Sequence, residues 1–257
     1  MTNIVLTGAS SGIGAALAAA WAAPGVTFAL AGRNAERLEA TAEAVRAKGA
    51  TAITRAFDIR DRAALADFVA EAERVGPIDL TVANAGILDG RRGDAGVEDG
   101  DTARAVIETN LIAAVDTIHA VLPGMRAAKR GKILLISSLS AFSPLPDAPA
   151  YSASKAGLLS YGLALREAVR ADGITVSVAC PGYVTTRMTE THLGYKPFEI
   201  DAETAARKIM RGVARGKAVI GFPEPIHTVS RLSAFVPEWL RRLGMGEMRF
   251  RVGERRD

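Results

Sequence analysis

Seven short apolar runs punctuate the chain: Ile4 to Thr7, Val26 to Ala31, Ala52 to Phe57, Leu80 to Ala83, Lys132 to Ser137, Thr175 to Cys180 and Ala218 to Phe222. Their apolar character is nearly continuous rather than alternating, which suits strands covered on both faces. Longer segments rich in Ala, Leu, Glu and Arg separate them: about Gly12 to Ala23, Asn34 to Lys48, Asp61 to Val75, Thr102 to Lys129, Tyr151 to Ala171 and Asp201 to Gly216. These residues are good helix formers, and Asn34, Asp61 and Asp201 stand where helix N-caps belong. Regular alternation of strand and helix implies crossover connections and a parallel sheet with helices on both sides. The expectation is an α/β fold with one doubly wound, seven-stranded parallel sheet. No repeat, low-complexity linker or composition break divides residues 1–257, so one domain is expected.

Composition narrows the function classes. With 257 residues, 49% hydrophobic and 23% charged, the chain can bury a sizeable core and is not a disordered or collagen-like sequence. The single cysteine, Cys180, rules out an intramolecular disulfide and a paired-cysteine zinc site, and a reducing cytoplasm is the natural compartment. The net charge of +4 is spread along the chain with no polybasic block, which argues against a nucleic-acid partner. Six arginines between Arg241 and Arg256 read as a solvated tail. Ala15 to Ala31 carries no charge, but Pro24-Gly25 breaks it into helix, turn and strand, so no membrane span is expected. The first eight residues lack the basic region of a signal peptide.

After the first strand comes Thr7-Gly8-Ala9-Ser10-Ser11-Gly12-Ile13-Gly14, opening an Ala-rich helix. Free N–H groups at such a helix start suit a pyrophosphate, and the glycines permit a tight turn and close approach of backbone. Alone, the loop also fits an ordinary strand-to-helix turn. At the end of the second strand an Asp or Glu would hold an adenosine ribose, but Ala31-Gly32-Arg33-Asn34 has none. Arg33 instead offers a planar fork for a 2′-phosphate, which favours NADP(H) over NAD(H). Pairing with Glu36 is the other reading of Arg33.

Tyr151 and Lys155 lie four apart in Tyr-Ser-Ala-Ser-Lys and would share one helix face. A cation there can favour the phenolate of a group whose ordinary pKa, about 10, is too high for neutral acid-base work. Helix surfaces also carry such pairs without function. Ser138, thirteen residues before Tyr151, and Asn84-Ala85-Gly86 each end a predicted strand.

With these residues in order, the chain resembles the classical short-chain dehydrogenase/reductases: Thr7 to Gly14, Asp58, Asn84-Ala85-Gly86, Asn110, Ser137-Ser138, Tyr151 to Lys155 and Pro181-Gly182, over roughly residues 3 to 190. The resemblance implies a single-domain Rossmann fold and reversible hydride transfer between a nicotinamide cofactor and a carbonyl or alcohol. It makes Tyr151 the general acid and Ser138 the hydrogen-bond donor to the carbonyl oxygen. Lys155 would hold the nicotinamide ribose and lower the Tyr151 pKa. Asn110 would kink its helix and bind a water that relays protons towards Lys155.

For the cofactor, the resemblance implies Gly8, Ser10, Ser11, Gly12, Ile13 and Gly14 at the pyrophosphate and nicotinamide, and Arg33 at the ribose. Asp58 and Ile59 would meet adenine, while Asn84, Ala85 and Gly86 steady the neighbouring strand. Tyr151, Lys155, Pro181, Gly182, Val184 and Thr186 complete the set. The family's usual Asn-Asn-Ala-Gly appears as Ala83-Asn84-Ala85-Gly86, a departure at its first position. No metal is implied. Cys180, ending an apolar strand, reads as a buried hydrophobe.

Substrate loops are expected near 88–101 and 185–200, with Ser140 to Ala150 between them. Phe142, Leu145, Met188, Leu193 and Phe198 suggest an apolar pocket for a small carbonyl or alcohol substrate. A C-terminal extension, 223–257, carries Ile226, Val229, Leu232, Val236, Leu240 and Leu243 at helical steps interrupted by Pro237. Short helices covering the cleft or a subunit contact are expected there, with peripheral membrane contact as the alternative. The resemblance also suggests homodimers or homotetramers through the Thr102 and Tyr151 helices. Two other functions fit parts of the sequence: a non-catalytic dinucleotide-sensing module, which needs only the glycine loop, and a sugar-nucleotide epimerase. The loop spacing and the lack of residues for a separate substrate domain disfavour the epimerase.

Overall fold

Along β1 (Thr2–Thr7), Ile4 and Leu6 belong to one apolar cluster and Val5 to another, and all three are buried. A strand with both faces buried needs a helical layer on each side. The computed structural model, which describes residues 2–92, 96–190, 192–193, 196–232 and 251–252, supplies both layers.

The remaining sheet strands are β2 (Val26–Gly32), β3 (Thr51–Ala56), β4 (Leu80–Ala83), β5 (Gly131–Ile136), β6 (Ile174–Pro181) and β7 (Val219–Phe222). They run parallel in the order β7-β6-β5-β4-β1-β2-β3. Each expected strand is found, with ends shifted by no more than two residues. One face packs on α1 (Gly12–Trp21), α2 (Ala35–Arg46) and α7 (Ala202–Ala214) through Leu17, Leu38, Val45 and Ile209. The other packs on α3 (Arg62–Glu73), α5 (Ala113–Ala128) and α6 (Pro149–Ala168) through Phe68, Ile118, Met125 and Leu158. This is the doubly wound Rossmann architecture expected from the alternation. Ala15 to Ala31 divides into α1 and β2, as Pro24-Gly25 implied.

The strand order reverses between β1 and β4, whose register places Leu6 beside Val82. The residues that follow, Gly8 and Asn84, therefore meet at the carboxyl end of the sheet, where such folds open a crevice.

One expected helix is interrupted. Thr102 to Lys129 reads as a single segment, but the structure has α4 (Gly100–Ile107), a π turn (Glu108–Ile112) and then α5. The Ala113 N–H reaches back to the Glu108 carbonyl, one residue further than in an α-helix. The turn places Asn110 fully inside the protein.

After β6, Val184–Thr185 pairs in parallel with Ile200–Asp201, so the long loop is pinned at both ends. His192–Leu193 pairs antiparallel with Arg251–Val252, bringing the chain end back over the same loop. Beyond β7, α8 (Glu224–Leu232) forms the described part of the C-terminal extension. Val236, Pro237, Leu240, Leu243 and the terminal arginines other than Arg251 lie outside the described residues.

Candidate active site

The loop after β1 turns through Gly8 at φ +67° and Gly12 at φ +57°, both in the region that favours glycine. Gly14 is required for a different reason. A Cβ there would lie 2.2 Å from the Gly8 carbonyl oxygen and 2.6 Å from Asn84 Nδ2. It lets α1 press against the loop, and it does not itself line the cleft as the resemblance implied. Ser11 takes the N-cap position without a side-chain capping bond, so the first N–H groups of α1 remain for an anion.

Asn84 fastens this loop to β4. Its Nδ2 donates to the carbonyls of Thr7 and Gly8 at 3.1 and 3.0 Å, and its backbone N–H donates to Thr7 Oγ1 at 3.1 Å. Across the opening, the Thr186 methyl stands where a Cβ on Gly12 would come within 3.1 Å.

These elements enclose a cleft of about 240 Å³. Its lining includes Gly8, Ser10, Ser11, Gly12, Ile13, Arg33, Asp58, Ile59, Asn84, Ala85, Gly86, Ser138, Tyr151, Lys155, Pro181, Gly182, Val184 and Thr186. Of the residues singled out from sequence, only Gly14 and Asn110 stand behind the wall. Residues missed by sequence also line it, chiefly Arg37, Phe57, Ile87 and Thr109.

Arg37 is the informative omission. It stands one helical turn after Arg33, and both line the same end of the cleft. Arg33 is exposed and makes no ion pair among the described residues, so the pairing with Glu36 is absent. Arg37 Nε is buried without a hydrogen-bond partner. Two guanidinium groups, one carrying an orphaned donor, with no carboxylate on the β2 end, fit a phosphate on the adenosine ribose.

Asp58 lines the cleft with its carboxylate already engaged. Its carboxylate is gripped by Arg60, whose Nη2 donates to Oδ2 at 2.6 Å and whose Nε and backbone N–H both reach Oδ1 at 3.0 Å. The Arg60 hydrogen bonds pull the carboxyl down to about 2, so it is ionised and already engaged. An adenine amino group would have to share it.

Asn110 Oδ1 accepts from the Ile87 N–H at 2.7 Å, and its Nδ2 donates to the Ile87 carbonyl at 2.9 Å and to Ser154 Oγ at 3.2 Å. The kink that the resemblance implied at Asn110 is present as the π turn of 108–112. The side chain holds the backbone beyond Gly86 against α6.

The helix α6 carries Tyr151 and Lys155 on one face, with the Lys155 Nζ 5.6 Å from the centre of the Tyr151 ring. Lys155 is buried and donates to the Ile136 carbonyl at 2.9 Å. Burial pushes its ammonium down to about 8. Burial also pushes the Tyr151 phenol up to about 12, against a hydrogen bond with Ser138 that favours the phenolate. Desolvation is the larger influence and outweighs the hydrogen bond from Ser138. Ser138 Oγ accepts from the Ser140 N–H at 3.1 Å, which orients the hydroxyl. Ser137 is directed away: its Oγ donates to the Lys155 carbonyl at 2.7 Å. Cys180 is buried beside them, with its thiol pushed up to about 12, which fits a hydrophobe and not a nucleophile.

Ser138, Tyr151, Gly182, Met188 and Thr189 also line a second cavity of about 270 Å³. Leu88, Leu139, Leu145, Pro197 and Ile226 form much of its remaining wall. Leu145 and Met188 are therefore pocket residues, as expected. Phe142 is not: it packs into the core and against the His227 ring, 5.6 Å between centroids. Phe198 is 65% exposed. Ile226 on α8 covers the cavity, whereas Val229 points outward at 67% exposure. Neither Tyr195 nor the side chain of Leu193 lies within the described part of the loop.

Comparison with known proteins agrees with this architecture. Residues 2–194 match the short chain dehydrogenase family. An uncharacterized oxidoreductase of Myxococcus xanthus is 34% identical over 234 residues, 91% of this chain and 92% of its own. The ketoacyl reductase HetN of Nostoc sp. is 35% identical over 84% of this chain and 72% of its own. Among solved structures, a short-chain dehydrogenase from Sphingobium yanoikuyae in complex with NADPH superposes with a TM-score of 0.79 at 25% identity, covering 97% of each chain.

Proposed function

The chain belongs to the short chain dehydrogenase family and is an oxidoreductase of the nicotinamide-dinucleotide type; from that premise we propose that it reduces a carbonyl with NADPH, reversibly, using Tyr151 as proton donor. The observation that carries this reading is the position of Ser138 and Tyr151. They line both cavities and so stand on the boundary between a dinucleotide-shaped cleft and an apolar chamber. A carbonyl carbon in the chamber, with its oxygen towards the two hydroxyls, would face the cleft.

When bound, the nicotinamide supplies the hydride. The protein's part is orientation and proton movement. Ser138, with an oxygen lone pair already occupied by the Ser140 N–H, donates a hydrogen bond to the carbonyl oxygen and stabilises the charge that develops there, keeping its own proton. Tyr151, neutral because burial holds its phenol high, donates a proton to the same oxygen. Lys155 is placed near the Tyr151 ring, where its cation stabilises the phenolate left behind. The preference for NADP(H) rests on Arg33 and Arg37.

The family reading extends to a homo-oligomer built on α4, α5 and α6, where Leu163 of α6 and Ile112 of the π turn between α4 and α5 are exposed at 38% and 50%, and to a cytoplasmic location. Ketone-dependent oxidation of NADPH, followed by absorbance, tests the activity. Steady absorbance with every ketone, while NADPH binds, would leave the dinucleotide-sensing module as the better account.

A further inference from the structure

We propose that Glu98 is a positioning residue for Tyr151: reaching across from the loop 88–101, it caps the start of α6 and fixes where the phenol stands beside Ser138. The proposal rests on the carbonyl-reducing reading of the same site.

The first turn of α6 cannot cap itself. Ala148, at the N-cap position, has no side-chain oxygen, and Pro149, the first helical residue, has no N–H. The packing leaves no room for a larger cap. Ala148 is fully buried, and a Cβ on Gly90 would come within 3.0 Å of the Ala148 Cβ. The first N–H of the helix is therefore that of Ala150, and Glu98 Oε1 accepts from it at 2.7 Å across 52 residues of sequence. Capping side chains usually stand at the helix start itself, so a carboxylate brought from a distant loop ties two parts of the site together.

Glu98 is itself held in place. Asp99, the next residue, caps α4 by accepting from the Thr102 N–H and hydroxyl at 2.8 and 2.9 Å, and α4 packs on α6. Earlier in the same loop, the Arg91 N–H donates to the Asp147 carbonyl at 2.7 Å and Arg91 Nε to Asp147 Oδ1 at 2.8 Å. Leu88 and Leu145, a few residues before this pair, are walls of the second cavity. The loop that lines the apolar chamber thus also grips the start of α6, at Asp147 and at Ala150.

Tyr151 is the side chain most sensitive to this grip. It follows Ala150 in the first turn, where a helix without its cap frays. Lys155 lies one turn deeper, and its Nζ is anchored on the Ile136 carbonyl. Loss of the cap therefore displaces the proton donor and spares Lys155 and the cleft. A misplacement of about 1 Å at a reacting group costs on the order of a hundredfold in rate. Glu98 Oε2 is buried without a hydrogen-bond partner, so the single bond from Oε1 does the positioning, and an amide nitrogen in place of Oε2 breaks no bond.

The test measures NADPH-dependent reduction of a ketone the wild type consumes, in Glu98→Ala, Glu98→Asp, Glu98→Gln and Asp61→Ala. Asp61 caps α3 through the Ala63 and Ala64 N–H groups at 3.0 Å, and no residue of α3 lines either cavity, so it controls for loss of a cap as such. Glu98→Ala is expected to lower kcat by about ten- to a hundredfold, while the KM for the ketone and the NADPH affinity change by less than about threefold. Glu98→Asp keeps the charge but falls one methylene short, so it is expected to be slow as well, and it replaces the alanine variant if that does not fold. Glu98→Gln, whose amide oxygen can accept the same bond, is expected to stay within about threefold of the wild type. Asp61→Ala is expected to lower the thermal unfolding temperature and leave kcat unchanged. Wild-type kcat in Glu98→Ala or Glu98→Asp, a glutamine variant as slow as these, or an equal fall in Asp61→Ala overturns the assignment of Glu98 and leaves the carbonyl-reducing reading standing. Consumption of no ketone by a wild type that binds NADPH overturns both.

Discussion

Tyr151→Phe is expected to lower turnover by about a hundred- to ten-thousandfold while NADPH affinity changes by less than about threefold. The change removes one hydroxyl from a ring that is otherwise held by α6, and it leaves Lys155, the glycine loop and both arginines in place. A uniform loss in binding and turnover would mean a disturbed fold, and near-normal turnover would mean that another group gives the proton. The same phenol also sets the pH dependence. With its pKa pushed up to about 12, Tyr151 is neutral through the physiological range and is the form that donates in reduction. Alcohol oxidation needs the phenolate, whose fraction grows about tenfold per pH unit below the pKa. Reduction is therefore expected to stay level across neutral pH while oxidation climbs. Steady-state rates in both directions over a pH series check this, and parallel profiles would assign the titration elsewhere.

The second large effect concerns the cofactor. Arg33→Ala and Arg37→Ala are each expected to weaken NADPH by about ten- to a hundredfold, the range for a lost hydrogen bond to a charged group, and NADH by less than about twofold. The difference arises because the two guanidinium groups line the cleft after β2, where a phosphorylated ribose would add an anion that NADH lacks. Calorimetric titration of both cofactors into each variant measures it. Equal losses for NADPH and NADH would show that these residues support the cleft without reading a phosphate.

The sheet was legible because its strands are buried on both faces, so each appears in sequence as a continuous apolar run bounded by turn residues. The glycine loop, Asn84, Ser138, Tyr151 and Lys155 were legible because they stand at the ends of those strands, where the topology itself opens a crevice. What escaped detection depends on distant contacts. The kink at Asn110 was implied by the resemblance alone, because the π turn of 108–112 goes with an amide that bonds a backbone 23 residues earlier and no local propensity announces it. Arg37 reads as one more exposed residue of an amphipathic helix until β2 and β3 place it on the cleft. Asp58 reads as free for a ligand until Arg60, two residues on, folds over it. Phe142 and Phe198 looked like pocket residues because hydrophobicity says that a side chain seeks cover without saying which cover. The first found the core and the second stays exposed.

Transfer of label most directly tests the central claim. NADPH carrying deuterium at the reactive nicotinamide carbon, on one face or the other, is incubated with the enzyme and a ketone it consumes, and the alcohol product is analysed by mass spectrometry. The account predicts about one deuterium per alcohol formed from one of the two labelled forms, on the former carbonyl carbon, with Tyr151→Phe slowing formation and leaving the position of the label unchanged. An alcohol free of label from both forms would contradict direct hydride transfer across the boundary between the two cavities.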